Sequence, residues 1–167
     1  MESDKEKIYE NATKNLVATI EKMQLDKLRR LRAKNLVLLF RDSFKLPDVK
    51  YQTFWDDLGE DMAKFTYDSD GYCRAASVNF ALMMGGAPEW KLMYINKLWS
   101  DGPHHYLLHT PSKTILDLTY DQYTHVGIKI PYCLGRQIKL EFNDKNIEAR
   151  FANALGLTSL ISDNQKG

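Results

Sequence analysis

Three side chains in this sequence combine the types needed for nucleophilic catalysis: Cys73, His105 and Asp117. A thiol attacks a carbonyl carbon as its thiolate, and a helix N-terminus or a nearby imidazolium lowers its pKa. Cys73 follows the turn-rich stretch Tyr67-Asp68-Ser69-Asp70-Gly71-Tyr72 and opens the helical pattern CRAASVNFALMM. It therefore stands where a loop enters a helix. The free backbone N–H groups of such a terminus can also hold a developing oxyanion. The chemistry further needs a histidine to share the thiol proton and a third polar group to fix that imidazole's tautomer.

A predicted hairpin supplies both. HHYLLH (104–109) and TILDLT (114–119) read as strands around the tight loop Thr110-Pro111-Ser112-Lys113. Alternation puts His105, Leu107 and His109 on one face and His104, Tyr106 and Leu108 on the other. A loop with an odd number of residues places Asp117 on the His105 face, within cross-strand reach. An even number places it on the His104 face, so parity leaves both histidines open. Asp117 lies among the apolar Ile115, Leu116 and Leu118, where an unpartnered carboxylate is costly.

The elements that must position these groups are legible around them. Ile8, Ala12, Leu16, Ile20 and Met23, then Leu25, Leu28, Leu31, Leu36, Leu39 and Phe40, recur at helical spacing. They predict one long helix, or two joined near Gln24, stopped at Leu46-Pro47-Asp48 and packed on the protein's own core. Phe54, Trp55, Leu58, Met62 and Phe65 fit a short helix broken at Gly59. Gly85-Gly86 ends the Cys73 helix. WKLMYI (90–95) reads as a strand, Ser100-Asp101-Gly102-Pro103 as a turn, and 127–130 and 137–142 as short strands. Asn143-Asp144 is expected to cap a last helix at roughly 145–155, with Ile147, Phe151 and Leu155 on one face and a fraying tail after Gly156. Helices followed by an antiparallel sheet define an α+β class. The 167 residues suit a single domain, with residues 1–50 a helical N-terminal region and 51–167 the α+β core.

Composition narrows the function. Net charge is +1, with 12 Lys/Arg against 8 Asp/Glu in residues 1–50, well short of a nucleic-acid-binding signature. No apolar run approaches the span of a bilayer, and MESDKEKIYE lacks a signal-peptide core. These features lead us to expect no membrane partner and a cytoplasmic location, or leaderless export into another cell. Two cysteines, Cys73 and Cys133, make no disulfide framework. His105 and His109 have the spacing of a helical metal pair, but on a strand they stand about 13 Å apart. No phosphate-binding glycine loop or dinucleotide fingerprint is present, and no metal or cofactor is expected.

The string Gly71-Tyr72-Cys73-Arg74-Ala75-Ala76-Ser77 resembles the nucleophile region of papain-like and transglutaminase-like proteins. Gly102-Pro103-His104-His105-Tyr106, followed by a hairpin and Leu116-Asp117-Leu118-Thr119, is similar to their base-and-orienter hairpin. Asp117-Leu118-Thr119-Tyr120-Asp121-Gln122-Tyr123 is similar to an Asp-Leu-Thr-x-x-Gln-aromatic motif of small bacterial members of that superfamily. The resemblance covers about residues 68–125 and implies a papain-like fold. Aligning the His-Tyr pair makes His105 the base and Asp117 its orienter. The implied activity is that of a thiol-dependent amide hydrolase or acyltransferase acting on a protein or peptide: a peptidase, an isopeptidase, or a glutamine deamidase or transglutaminase. The sequence departs from the papain pattern in having no glutamine between 53 and 72. Backbone amides near Cys73, Ser69 or the Tyr67 hydroxyl would then serve the oxyanion, with His104 and Gln122 as further accessory residues. The competing expectation is a non-catalytic interaction protein on the same fold, binding a protein partner through residues 1–46.

Overall fold

The structure is a computed structural model, and it describes residues 2–58, 67–96, 98 and 102–165. Two long helices open the chain, α1 (Glu2–Glu21) and α2 (Lys27–Phe44). The break between them spans residues 22–26, around Gln24. There the Asp26 side chain caps α2 by accepting from the Arg29 N–H at 2.9 Å. Pro47 does not merely stop a helix. It opens the next one, α3 (Pro47–Leu58), because the first helical position needs no N–H from it. The expected break at Gly59, with Met62 and Phe65, lies outside the described residues, as do Ser100 and Asp101 of the expected turn.

Helix α4 (Cys73–Met83) is central. Ala75, Ala76 and Ala81 have no exposed surface, and their small side chains let neighbouring elements approach closely. The helix ends where Gly85 and Gly86 take positive φ, with the Gly86 N–H returning to Ala81 O at 2.8 Å. Against α4 lies one antiparallel sheet of order β3-β2-β1-β4, formed by β1 (Trp90–Ile95), β2 (His104–His109), β3 (Thr114–Leu116) and β4 (Arg136–Ile138). Trp90, Leu92, Leu107 and Leu116 join the main core with Val78, Phe80 and Ala81 of α4. On the opposite face Tyr106 packs with Ile95, Leu98, Tyr123 and Ile130 in a smaller cluster. The architecture is mixed α+β with a four-stranded antiparallel sheet.

The helices α1 and α2 are part of this core. Leu16, Ile20 and Met23 of α1 and its following turn, with Val37, Phe40 and Phe44 of α2, belong to the same apolar cluster as α4. Four expectations for the second half are corrected. The run 127–130 forms no strand: Gly127 has φ +82° and turns the chain, and Ile130 is drawn into the smaller cluster. The last predicted strand is confined to Arg136–Ile138, preceded by one 3₁₀ turn, Tyr132–Leu134. The segment after Gly156 forms a further helix, α7 (Thr158–Gln165), because Leu157 and Ile161 bury a full turn apart. It follows α6 (Ile147–Ala154), whose N-cap is Asn146 in place of the expected Asn143-Asp144. Among the described residues, no helix is long and apolar enough to cross a membrane.

Candidate active site

Cys73 is the first residue of α4, and no side chain caps this terminus. The residue is 9% exposed, and its thiol lies 3.7 Å from His105 Nδ1. His105 points to the α4 side of the sheet, where its ring also meets Tyr94 edge to face at 5.3 Å. His104, its neighbour in the strand, points to the other side and is fully buried. The thiol sits at the starting end of β2, in contact with His105 and within the electrostatic influence of His104. Hydrogen bonds from His104 and His105 lower its pKa.

The carboxylate partner is not the expected one. Strand pairing matches His109 with Thr114 and Leu107 with Leu116, so the hairpin loop holds four residues, an even number. Even parity turns Asp117 to the His104 face. Asp117 Oδ2 accepts from His104 Nε2 at 2.6 Å and from the Tyr132 hydroxyl at 2.8 Å, while Oδ1 accepts from the Thr119 N–H at 3.3 Å. The pairing of Asp117 with His105 is therefore corrected to a pairing with His104. Tyr132 was not foreseen. Its backbone oxygen receives the Tyr106 hydroxyl at 3.0 Å, an approach that leaves no room for a Cβ at Gly135, which would fall 1.8 Å from that hydroxyl oxygen.

Burial alone would raise the Cys73 thiol. Hydrogen bonding and charge from His104 and then His105 outweigh it and bring the pKa down to about 5. Burial alone would lower His104. The Asp117 carboxylate and then the Cys73 thiolate reverse this and lift it to about 10. His105 makes the 3.7 Å contact, yet His104 does more to lower the thiol, since Asp117 sustains its positive charge. The two shifts describe one thiolate–imidazolium pair. Below about 5 the thiol gains a proton, and above about 10 the imidazolium loses one. Alkylation of Cys73 by iodoacetamide is thus expected to rise through about pH 5 and to be fully developed at neutral pH. A rise delayed to the ordinary thiol range, about pH 8.5, would show that the pair does not form.

A second set of buried contacts holds the loop ahead of Cys73. Arg41, reaching in from α2, donates to both oxygens of Asp121 at 2.7 and 2.8 Å. The Tyr67 hydroxyl donates to Asp121 Oδ2 at 2.7 Å and Ser69 Oγ to Oδ1 at 3.2 Å. Arg41 also donates to Tyr9 O, Thr13 Oγ1 and Leu118 O. Asp121 opens the single-turn helix α5 (Asp121–Thr124), and its neighbour Gln122 accepts from the Gly71 N–H at 3.3 Å. Three contacts from one turn of helix therefore fix residues 67–71. Tyr67 and Ser69, expected as oxyanion donors, are committed to Asp121 instead. Burial and then the Asp121 charge push the Tyr67 hydroxyl's pKa up, so it remains a proton donor.

Gln122 also places its Nε2 3.1 Å from Thr119 Oγ1 and 3.2 Å from His104 Nδ1. Cys133, in the 3₁₀ turn, is exposed and unbonded to another cysteine. His109 lies at the far end of β2 and contacts Ser112 Oγ at 2.8 Å. Among the described residues no cluster of three or more His, Cys, Asp or Glu is arranged for a metal ion.

Taken together, the geometry is that of a buried thiol in contact with His105, beside a second histidine, His104, that is held by Asp117, on an α+β fold. No family model matches the chain, and no curated protein or solved structure is detectably similar to it.

Proposed function

We propose that the protein is a thiol-dependent acyl-transfer enzyme with a papain-like arrangement. Cys73 is its nucleophile, His104 its acid–base group and Asp117 the residue that orients His104. The observation that carries this reading is the hydrogen bond of 2.6 Å between His104 Nε2 and Asp117 Oδ2, beside a thiol at a helix N-terminus. With Nε2 taken, Nδ1, which also meets Gln122 Nε2 at 3.2 Å, is the nitrogen that would exchange the proton with Cys73. The thiolate attacks an amide carbonyl of a protein or peptide substrate, and a C–S bond forms as the carbonyl π pair moves to oxygen. The pair returns as the C–N bond breaks, and His104 Nδ1–H protonates the departing amine. Water or a second amine then attacks the thioester, gives up its proton to His104, and the C–S bond breaks. His105, 3.7 Å from Sγ, adds a second imidazole beside the thiolate.

The test is acetylation by p-nitrophenyl acetate. The wild-type chain is expected to release one equivalent of nitrophenolate in a burst and gain an acetyl group on Cys73 by peptide mass mapping. Cys73→Ala should give no burst while retaining its circular dichroism spectrum. A wild-type chain that alkylates at neutral pH but never acetylates Cys73 would sink the acyl-transfer reading.

A further inference from the structure

The mechanism above leaves without a role a nearly buried carboxamide beside the thiol–imidazole pair, that of Gln122. Its orientation is fixed. The Gly71 N–H can only donate, so the end of the amide that meets it at 3.3 Å is the oxygen. The NH₂ end therefore faces His104 Nδ1 at 3.2 Å and Thr119 Oγ1 at 3.1 Å. When His104 is neutral, its Nε2–H donates to Asp117 and its Nδ1 accepts from Gln122. In the resting thiolate–imidazolium pair Nδ1 already holds the thiol proton, so two donors face each other and the Gln122 N–H lacks that acceptor. It is then a donor in want of an acceptor next to His104, before a carbonyl oxygen on Cys73 gains negative charge.

We propose that Gln122 is a catalytic residue whose Nε2–H donates to the oxyanion of the tetrahedral intermediate formed on Cys73. The inference rests on the acyl-transfer reading and adds to it the donor that residues 53–72 lack, since the Tyr67 hydroxyl and Ser69 are held by Asp121. As the C–S bond forms, the carbonyl π pair becomes the oxyanion lone pair that Gln122 stabilises. When that pair re-forms the double bond and the C–N bond breaks, the donor is released, and deprotonation of His104 restores its acceptor. Preorganised side-chain amides of this kind act where charge develops, and removing one costs about 10²–10³ in rate.

The test compares two reactions of the same thiol. Iodoacetamide displaces iodide with no tetrahedral oxyanion, whereas p-nitrophenyl acetate passes through one. Gln122→Ala removes the donor. Gln122→Glu also removes it while keeping an oxygen for the Gly71 N–H, and so guards against a collapsed loop in the alanine variant. Both variants are expected to lose about 10²–10³-fold in acetylation rate, with alkylation remaining at the wild-type order of magnitude. Equal losses in the two reactions would make Gln122 a positioning residue, and undiminished acetylation would remove it from the chemistry. Either result overturns the assignment and leaves the acyl-transfer reading standing. A wild-type chain that alkylates but is never acetylated overturns both.

Discussion

Asp117→Asn is expected to slow acetylation of Cys73 by about 10⁴-fold, the scale seen when a triad carboxylate becomes an amide with geometry intact. The reason lies in what surrounds the carboxylate. The N–H of Thr119 donates to one oxygen, and His104 Nε2 and the Tyr132 hydroxyl donate to the other. An amide in this place must turn its NH₂ towards one of these donors. If it faces His104, Nε2 must become the acceptor, and Nδ1, now protonated, can no longer take the thiol proton. In either orientation the imidazolium loses its counter-charge. The thiol then loses the partner that holds its pKa near 5, and the lower edge of the alkylation profile should move upward towards the ordinary thiol range. Stopped-flow nitrophenolate release and the alkylation pH profile measure the two effects. An unchanged profile would show that Asp117 does not sustain the charge on His104.

Arg41→Met should destabilise the fold by about 3–5 kcal/mol, because it strands a buried carboxylate. Arg41 and Asp121 are each about 1% exposed at the side chain. Burial works against the guanidinium, and the Asp121 carboxylate more than compensates, leaving its pKa above the ordinary arginine value. In a chain of this size each kcal/mol corresponds to about 2–4 °C of Tm. A calorimetric fall on the order of 10 °C is therefore expected. Arg41→Met combined with Asp121→Leu should recover much of the loss, since both charges leave together. A single variant that melts like wild type would show that water reaches Asp121. The substitution also bears on the helical region expected as a docking arm. Tyr9, Thr13 and Arg41, from that region, contact the network that holds the loop before Cys73.

The sequence carried the site more clearly than its wiring. Cys73 at a loop-to-helix junction, the WKLMYI strand and the HHYLLH strand all followed from turn residues and alternation. The choice of histidine did not. It depends on whether Thr114 pairs with His109, and four consecutive turn-compatible residues read equally well as a loop of three or four. Aligning the His-Tyr pair pointed to His105, whereas the register turns Asp117 to His104. The Arg41–Asp121 pair was hidden for a different reason: a charged helix residue ordinarily reads as solvent-facing. One signal was available, since Arg41 falls in register with Val37 and Phe44, both buried on α2. Leu157 and Ile161, four residues apart, likewise marked α7, but a polar tail masked them.

The clamp of α5 on residues 67–71 has a consequence for how the chain comes to life on the ribosome. Arg41 and Cys73 emerge early, whereas His104, Asp117, Asp121 and Tyr132 follow in that order. A nascent chain that stops short of His104 carries the thiol without the charged partner that ionises it, and one that stops short of α5 also lacks the turn that aims it. Its cysteine should behave as an ordinary thiol, inert towards neighbouring carbonyls at neutral pH. Reactivity arrives only after these residues, with Phe151, Ala152, Leu157 and Ile161 of the core still to follow. The order of synthesis thereby keeps the nucleophile quiet until the residues that govern it have been made.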